Sequence, residues 1–129
     1  LFVDFTGHNC VNCRRMEQSV WGEPCVIDIL KDDVVIVSLY VDERTELPDE
    51  EKKTVVYPNG REVNLRTVGQ KWSYKQISEY QVTAQPYYVM QDVDGEDLNN
   101  GSADYENHSE PQRFKDWLKD GMNDFNSQD

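Results

Sequence analysis

Two cysteines separated by two residues, Cys10 and Cys13, follow a short apolar run at the start of the chain. The run LFVDF predicts a buried strand, and TGHN predicts a turn that leads into a helix carrying CVNCRRMEQSVW. The cysteine pair therefore lies where a strand passes directly into the N-terminus of a helix.

The next segment predicts a second helix and a strand. Gly22 and Pro24 interrupt the first helix, and Pro24 favours the start of a short helix through CVIDIL, because proline is tolerated in a first turn. VVIVSLYV is a continuous β-branched run, which is typical of a central strand covered on both faces.

The middle of the chain changes in character. Residues 42–68 begin with the charged DERTELPDEEKK and continue with VVYPNGREV, in which Pro-Asn-Gly between apolar runs predicts a hairpin turn. We interpret 42–68 as an insertion on the basic fold. QKWSYKQISEYQV predicts a further helix, and PYYVMQ, DVDGE and DL predict a β-hairpin.

The last element is a helix. Ser109 and Gln112 match a capping box at its start, and apolar residues recur on one face at Phe114, Trp117, Leu118 and Phe125. This order of elements predicts one domain over residues 1–129, an α/β sandwich with a mixed sheet.

Composition limits the partners. The chain of 129 residues carries 25 acidic and 13 basic residues and a net charge of −12, with the acidic excess concentrated from Asp92 onward. This charge argues against nucleic acid and anionic membrane surfaces as partners, since both would repel it, and favours a neutral or basic protein. The chain contains no membrane-spanning apolar run or export leader and does not begin with Met, so we expect it to be a piece of a longer polypeptide.

Three roles for the cysteine pair are open. A zinc site would need Cys10, Cys13, Cys25 and His8 as a Cys3His set, but a second CxxC half is missing. A purely structural bridge across two residues would restrain the unfolded chain little. A redox pair explains the position, because a helix N-terminus lowers the pKa of the first thiol. Cys10 is then the nucleophile and Cys13 the resolving thiol, with no metal and no cofactor beyond their disulfide.

Four further residues are candidates for the same site. Asp4 is an acid within an apolar strand, where burial would raise its pKa and let it accept the proton of Cys13, unless it is simply an exposed carboxylate. A cis Gln85–Pro86 bond would present backbone groups to a substrate strand, whereas a trans proline at a strand start is the alternative. Glu17, one helical turn after Cys13, is a candidate for tuning the pair or a solvated surface charge.

Two other residues near the pair in the sequence are His8 and Cys25. His8 either stabilises a Cys10 thiolate or faces water from its turn. Cys25 follows Pro24 at an apolar position of the second helix, and we expect it to be a buried or half-buried packing residue with no part in turnover.

Taken together, these residues resemble the thioredoxin superfamily, a three-layer sandwich. The resemblance rests on VDF with Asp4 six residues before Cys10, the CxxC at a helix start, and a proline before a hairpin and a final helix. The strings FVDFTGHNCVNCRRME, YVDE and AQPYYV are most similar to the C-terminal periplasmic domain of the thiol:disulfide interchange protein DsbD and its Bacteroides-type relatives. By this resemblance the chain is N-terminally incomplete, with a leading strand and helix missing.

The resemblance implies roles and partners. It gives Cys10 as nucleophile, Cys13 as resolving thiol, Asp4 as the buried acid and Pro86 as the cis-proline. We expect Gln85 and Pro86 to bind the substrate. It implies a periplasmic disulfide reductase that takes electrons from a membrane-embedded donor domain and passes them to protein disulfides, including those of cytochrome c maturation. A peptide-binding module that kept the fold and lost turnover is the alternative.

Overall fold

The computed structural model describes residues 1–127. Its strands are β1 (Phe2–Thr6), β2 (Ile36–Tyr40), β3 (Lys53–Val56), β4 (Glu62–Leu65), β5 (Tyr87–Gln91) and β6 (Asp97–Asp104). Its helices are α1 (Val11–Ser19), α2 (Pro24–Asp32), α3 (Val68–Tyr80), α4 (Tyr105–His108) and α5 (Pro111–Asn126). The predicted break between the first two helices is confirmed, and α2 begins at Pro24.

Four strands form one mixed sheet in the order β2-β1-β5-β6. β1 and β2 are parallel, whereas β1–β5 and β5–β6 are antiparallel. The register places Asp4 beside Ser38 on one side and beside Tyr88 on the other. The sheet confirms the predicted α/β class and the hairpin near the end of the chain.

Helices cover both faces of this sheet. On one face the aromatic ring of Phe2 packs with residues of α1, α2 and α5 in the larger apolar cluster. On the opposite face Val3 and Phe5 pack with Leu39, Val89 and the half-buried Trp72 of α3. Because successive strand residues face opposite sides, β1 contributes to both clusters, and all five of its residues are buried.

The prediction that the strand in VVIVSLYV is central and covered on both faces is wrong for the residues that the structure describes. β2 lies at the edge of the four-stranded sheet, and Ile36 and Val37 are exposed. Leu39 alone of its five residues is buried. A β-branched run reports a strand, but the position of that strand in a sheet depends on long-range pairing.

Residues 42–68 contain a separate antiparallel hairpin, β3–β4, with Pro58-Asn59-Gly60 in its turn as predicted. Its apolar residues form a third cluster, in which Leu47, Val55 and Leu65 are buried and Tyr74 of α3 packs against them. The hairpin is therefore joined to the main fold through α3.

The capping box predicted for the last helix is wrong. α5 begins at Pro111, its N-cap is Glu110 without a side-chain capping bond in the described residues, and Ser109 instead ends α4. The predicted apolar face is confirmed at Phe114, Trp117 and Leu118, whereas Phe125 is exposed.

None of the helices within residues 1–127 is both long enough and apolar enough to cross a membrane.

Candidate active site

The cysteine pair lies at the N-terminus of α1, as predicted, and forms a disulfide. Cys10 is the N-cap residue, and its Sγ accepts a hydrogen bond from the backbone N–H of Cys13 at 3.2 Å. Cys10 is partly exposed, whereas Cys13 is 1% exposed and shares the buried face of α1 with Met16. The outer sulfur is thus accessible to a partner, and the inner sulfur is shielded.

Asp4 is buried, with 3% of its surface exposed, so the alternative of a solvated strand carboxylate is wrong. It lies on the same face of β1 as Phe2, which belongs to one apolar cluster with Met16 of α1, so its carboxyl is on the side of the sheet that α1 covers. The Ser38 hydroxyl donates a hydrogen bond to Asp4 Oδ2 at 3.1 Å, while Oδ1 has no partner among the described residues.

Burial determines the protonation of Asp4. Desolvation raises the pKa of this carboxyl from 3.8 to about 7, against the lowering effect of the Ser38 hydrogen bond. The negative charge of Glu17 raises the pKa of Asp4 further, and the positive charge of Arg14 lowers it. A carboxyl with a pKa near neutrality can both accept and return a proton at physiological pH.

The turn before Cys10 is held from two sides. Arg14 donates from one guanidinium nitrogen to Thr6 Oγ1 and to the carbonyl oxygen of Gly7, both at 3.0 Å. From the other side, the Asp42 carboxylate accepts the backbone N–H of His8 at 2.8 Å and that of Asn9 at 3.1 Å. The turn is therefore fixed to α1 and to the residues that follow β2.

His8 is exposed, which agrees with the alternative of a turn histidine that faces water. Its Nε2 lies 2.8 Å from Glu43 Oε2, and its ring stacks on Tyr40 with centroids 4.2 Å apart. These contacts tie the side chain to the start of the 42–68 segment. Glu17, the other candidate for tuning, lies 3.1 Å from Arg14 and affects Asp4 through its charge.

The Gln85–Pro86 peptide bond is cis, as predicted. Tyr87, the next residue, pairs with Phe5 near the end of β1. Segment 83–86, which contains Pro86, therefore lies at the same end of the central strands as the turn that leads to Cys10. One of these central strands is β1, the strand that carries Asp4.

Cys25 is exposed, so the prediction of a buried packing residue is wrong. The buried face of α2 consists of Val26, Ile29 and Leu30. Cys25 comes one position before this set, and one residue turns a helix by about 100°. It carries a free thiol on the outside of the molecule.

The proposed zinc set does not come together in the structure. Cys10 and Cys13 are bonded to each other, and within residues 1–127 no three His, Cys, Asp or Glu side chains are grouped to hold a metal ion.

Several residues at this end of the central strands were missed in the sequence. Ser38, Arg14 and Asp42 contact the site only because of strand register and loop packing, which their local sequence does not reveal. Gln76 of α3 is buried and forms hydrogen bonds with Ala84 and Gln85. Its burial did have a signal in the sequence, since it lies four residues from both Trp72 and Tyr80 and so shares the face of α3 that packs on the sheet.

A mixed sheet between helices, with a CxxC disulfide at the N-terminus of the first helix and a buried acid below it, defines a thioredoxin-like thiol–disulfide site. The family model described as a thioredoxin-like domain matches residues 1–120, and the chain belongs to this family. A search of curated proteins gives no significant match.

Proposed function

We propose that this protein is a protein-disulfide reductase that transfers two electrons from the Cys10–Cys13 dithiol to a disulfide in a partner protein. The observation that carries the proposal is the asymmetry of the pair. Cys10 is accessible and its sulfur accepts a helix N-terminal N–H, whereas Cys13 is shielded beside it. Cys10 Sγ is thus placed to attack the partner disulfide, and Cys13 Sγ to release the partner.

The reaction has two exchange steps. The Cys10 thiolate attacks one sulfur of the partner disulfide, a bond forms between Cys10 and that sulfur, and the other partner sulfur leaves as a thiolate. The Cys13 thiolate then attacks Cys10 Sγ, which breaks the mixed disulfide and releases the second partner sulfur. The partner gains two electrons, and the protein is left with the Cys10–Cys13 disulfide.

Asp4 supplies the proton acceptor for the second step. Cys13 must lose its proton before it attacks. It is buried on α1, the helix whose residues Glu17 and Arg14 act by their charges on Asp4. A carboxyl whose pKa is raised to about 7 is ionised in part of the population at neutral pH and accepts that proton without a large free-energy cost.

Substrate contact is assigned to Gln85 and Pro86. Segment 83–86 lies at the same end of the central strands as the turn that leads to Cys10, and an extended peptide beside Cys10 would lie along the segment.

The donor, acceptors and location belong to the same proposal. The similarity of FVDFTGHNCVNCRRME and AQPYYV to the C-terminal domain of DsbD supports a periplasmic location, a membrane-embedded electron donor and acceptors that include cytochrome c maturation proteins. The net charge of −12 supports proteins over nucleic acid as partners.

The proposal predicts catalysis of insulin reduction by dithiothreitol, followed as turbidity. We expect the protein to accelerate precipitation well above the uncatalysed rate. Cys10→Ser should return it to that rate, because Cys13 is shielded and Cys25 lies on a different helix, α2. Cys25→Ala is the control and should retain parental activity. No acceleration by the parent protein would favour a redox-inactive peptide-binding module instead.

A further inference from the structure

Gln76 is a polar residue in the middle of α3 with none of its surface exposed. Its Nε2 donates to the carbonyl oxygen of Ala84 at 2.8 Å, and its Oε1 accepts from Gln85 Nε2 at 2.7 Å. A carbonyl oxygen only accepts, so the amide nitrogen of Gln76 must face Ala84 and its amide oxygen must face Gln85. Both ends of the side chain are therefore bound to the segment before Pro86.

The segment is also tied within itself. Gln85 Nε2 donates a second hydrogen bond, to the carbonyl oxygen of Thr83 at 2.9 Å. Gln76 thus joins α3 to a small network that spans residues 83–85. The network orients the Gln85 side chain and the Ala84 carbonyl.

The core gives no reason for an amide at this position. Trp72 and Tyr80, four residues to either side of Gln76, pack against the apolar cluster of Val3, Phe5 and Val89. A buried amide is costly unless all its groups are bonded, and an apolar side chain of similar volume would fill the space without that requirement. The hydrogen bonds of Gln76 serve the 83–85 segment.

We propose that Gln76 is a positioning residue for protein substrates: it holds segment 83–85 in the shape that receives an extended peptide beside Cys10. This inference rests on the proposed disulfide reductase function. Gln76 acts on docking through Ala84 and Gln85, and it has no part in the chemistry of the two cysteines. A substrate too small to reach the segment is therefore indifferent to it.

The test compares a protein disulfide with a small one in a Cys25→Ala background, because the exposed Cys25 thiol would itself react with the small reagent. Gln76→Met keeps the length of the side chain and removes the hydrogen bonds. With insulin we expect the KM to rise about tenfold, as suits the loss of two buried hydrogen bonds, with little change in kcat. With 5,5′-dithiobis(2-nitrobenzoate) the rate constant of the reduced protein should stay within about twofold of the parent.

Gln70→Met is the matched control. It makes the same substitution on the same helix and removes the bonds that Gln70 accepts from Arg66 and Thr67 at the other end of α3. We expect its KM for insulin to equal that of the parent. A rise as large as that of Gln76→Met would show that general loosening of α3 is the cause and would overturn the inference.

Other outcomes are also decisive. An unchanged KM for insulin in Gln76→Met, or equal losses with both disulfides, overturns the inference while the parent activity still supports the reductase. If Gln76→Met does not fold, Gln76→Glu replaces it, because glutamate keeps the oxygen that accepts from Gln85 and loses the N–H that donates to Ala84. Gln76→Glu should raise the KM for insulin. An unchanged KM would refute the positioning role. A parent protein inactive on both disulfides removes the proposed function and this inference together.

Discussion

Asp4 shows how one buried residue links stability to chemistry. Its carboxyl receives one hydrogen bond among the described residues, from Ser38, in a strand whose five residues are all buried. Because its pKa is raised to about 7 from 3.8, the folded protein binds more protons at this group than the unfolded chain between those two pH values. Asp4 therefore lowers the stability of the folded state as the pH rises through this range.

Asp4→Asn should accordingly stabilise the protein in a pH-dependent way. The variant keeps the shape of the side chain and cannot ionise, so its gain over the parent should be small near pH 4 and reach a plateau above pH 7. A shift from 3.8 to about 7 corresponds to a gain on the order of 4 kcal/mol. Denaturant unfolding across this pH range measures it.

The same variant should slow the release of a mixed disulfide more than its formation, since Asn cannot accept the proton of Cys13. Asp120→Asn, which replaces an exposed carboxylate on α5, is the control.

A gain in stability for Asp4→Asn that is the same at pH 4 and pH 8 would contradict the raised pKa of the Asp4 carboxyl and its assignment to burial.

Cys25 is the residue whose environment the sequence did not reveal. An apolar neighbourhood, PCVIDIL, suggested a buried position, but a change of one residue in helical phase moves a side chain from the core to the surface. We expect the native oxidised protein to react with one equivalent of a maleimide, at Cys25, because Cys10 and Cys13 are joined. Mass spectrometry counts the adducts, and labelling of native Cys25→Ala would indicate that the pair is open.

At the scale of elements, α3 connects the insertion to the active-site turn. Its second residue, Gly69, donates its N–H to the carbonyl oxygen of Glu43 at 3.0 Å. A Cβ at Gly69 would lie 2.6 Å from both the Glu43 nitrogen and the Val41 oxygen, which are backbone atoms. The helix can thus approach this loop closely only with glycine at position 69.

Gly69→Ala should therefore be strongly destabilising, on the order of 3 kcal/mol, because backbone must move to admit the methyl group. Gly121→Ala on α5 is the comparison. There the nearest atoms are the Met90 sulfur at 2.5 Å and the Asn100 side chain, which can rotate away. We expect the second loss to be about 1 kcal/mol. Chemical denaturation of the two variants measures both losses of stability. A Gly69→Ala protein no less stable than Gly121→Ala would disprove the close packing of α3 against the backbone of Val41 and Glu43.

Local patterns predicted most of the elements correctly. The strand–helix junction around Cys10, the break at Gly22 and Pro24, the Pro-Asn-Gly hairpin and the hairpin of β5 and β6 all have short-range signals. The edge position of β2 was missed because strand order depends on pairings between residues far apart in the chain. The predicted start of α5 was one residue too early because Ser109 resembles an N-cap, whereas Glu110 is the N-cap and Pro111 the first helical residue.

At the scale of the whole molecule, the site is assembled at one end of the central strands from segments that are distant in sequence. The residues around Cys10 contact Asp42 and Glu43 after β2, and segment 83–86 reaches the same end through the pairing of β5 with β1. The sequence revealed Cys10, Cys13 and Asp4 because they share one continuous stretch. It did not reveal Ser38 or Asp42, whose contacts with the site exist only after the chain has folded.

The central claim is that Cys10 attacks a partner disulfide and Cys13 resolves the product. Trapping the intermediate tests it most directly, in a Cys13→Ser, Cys25→Ala protein that keeps Cys10 as its one thiol. After incubation with oxidised insulin, mass spectrometry of the non-reduced product should show insulin linked to Cys10, because attack succeeds and resolution fails. The Cys10→Ser, Cys25→Ala protein, with only the shielded Cys13, should form little adduct. Equal trapping by both proteins, or none by the first, would contradict the account.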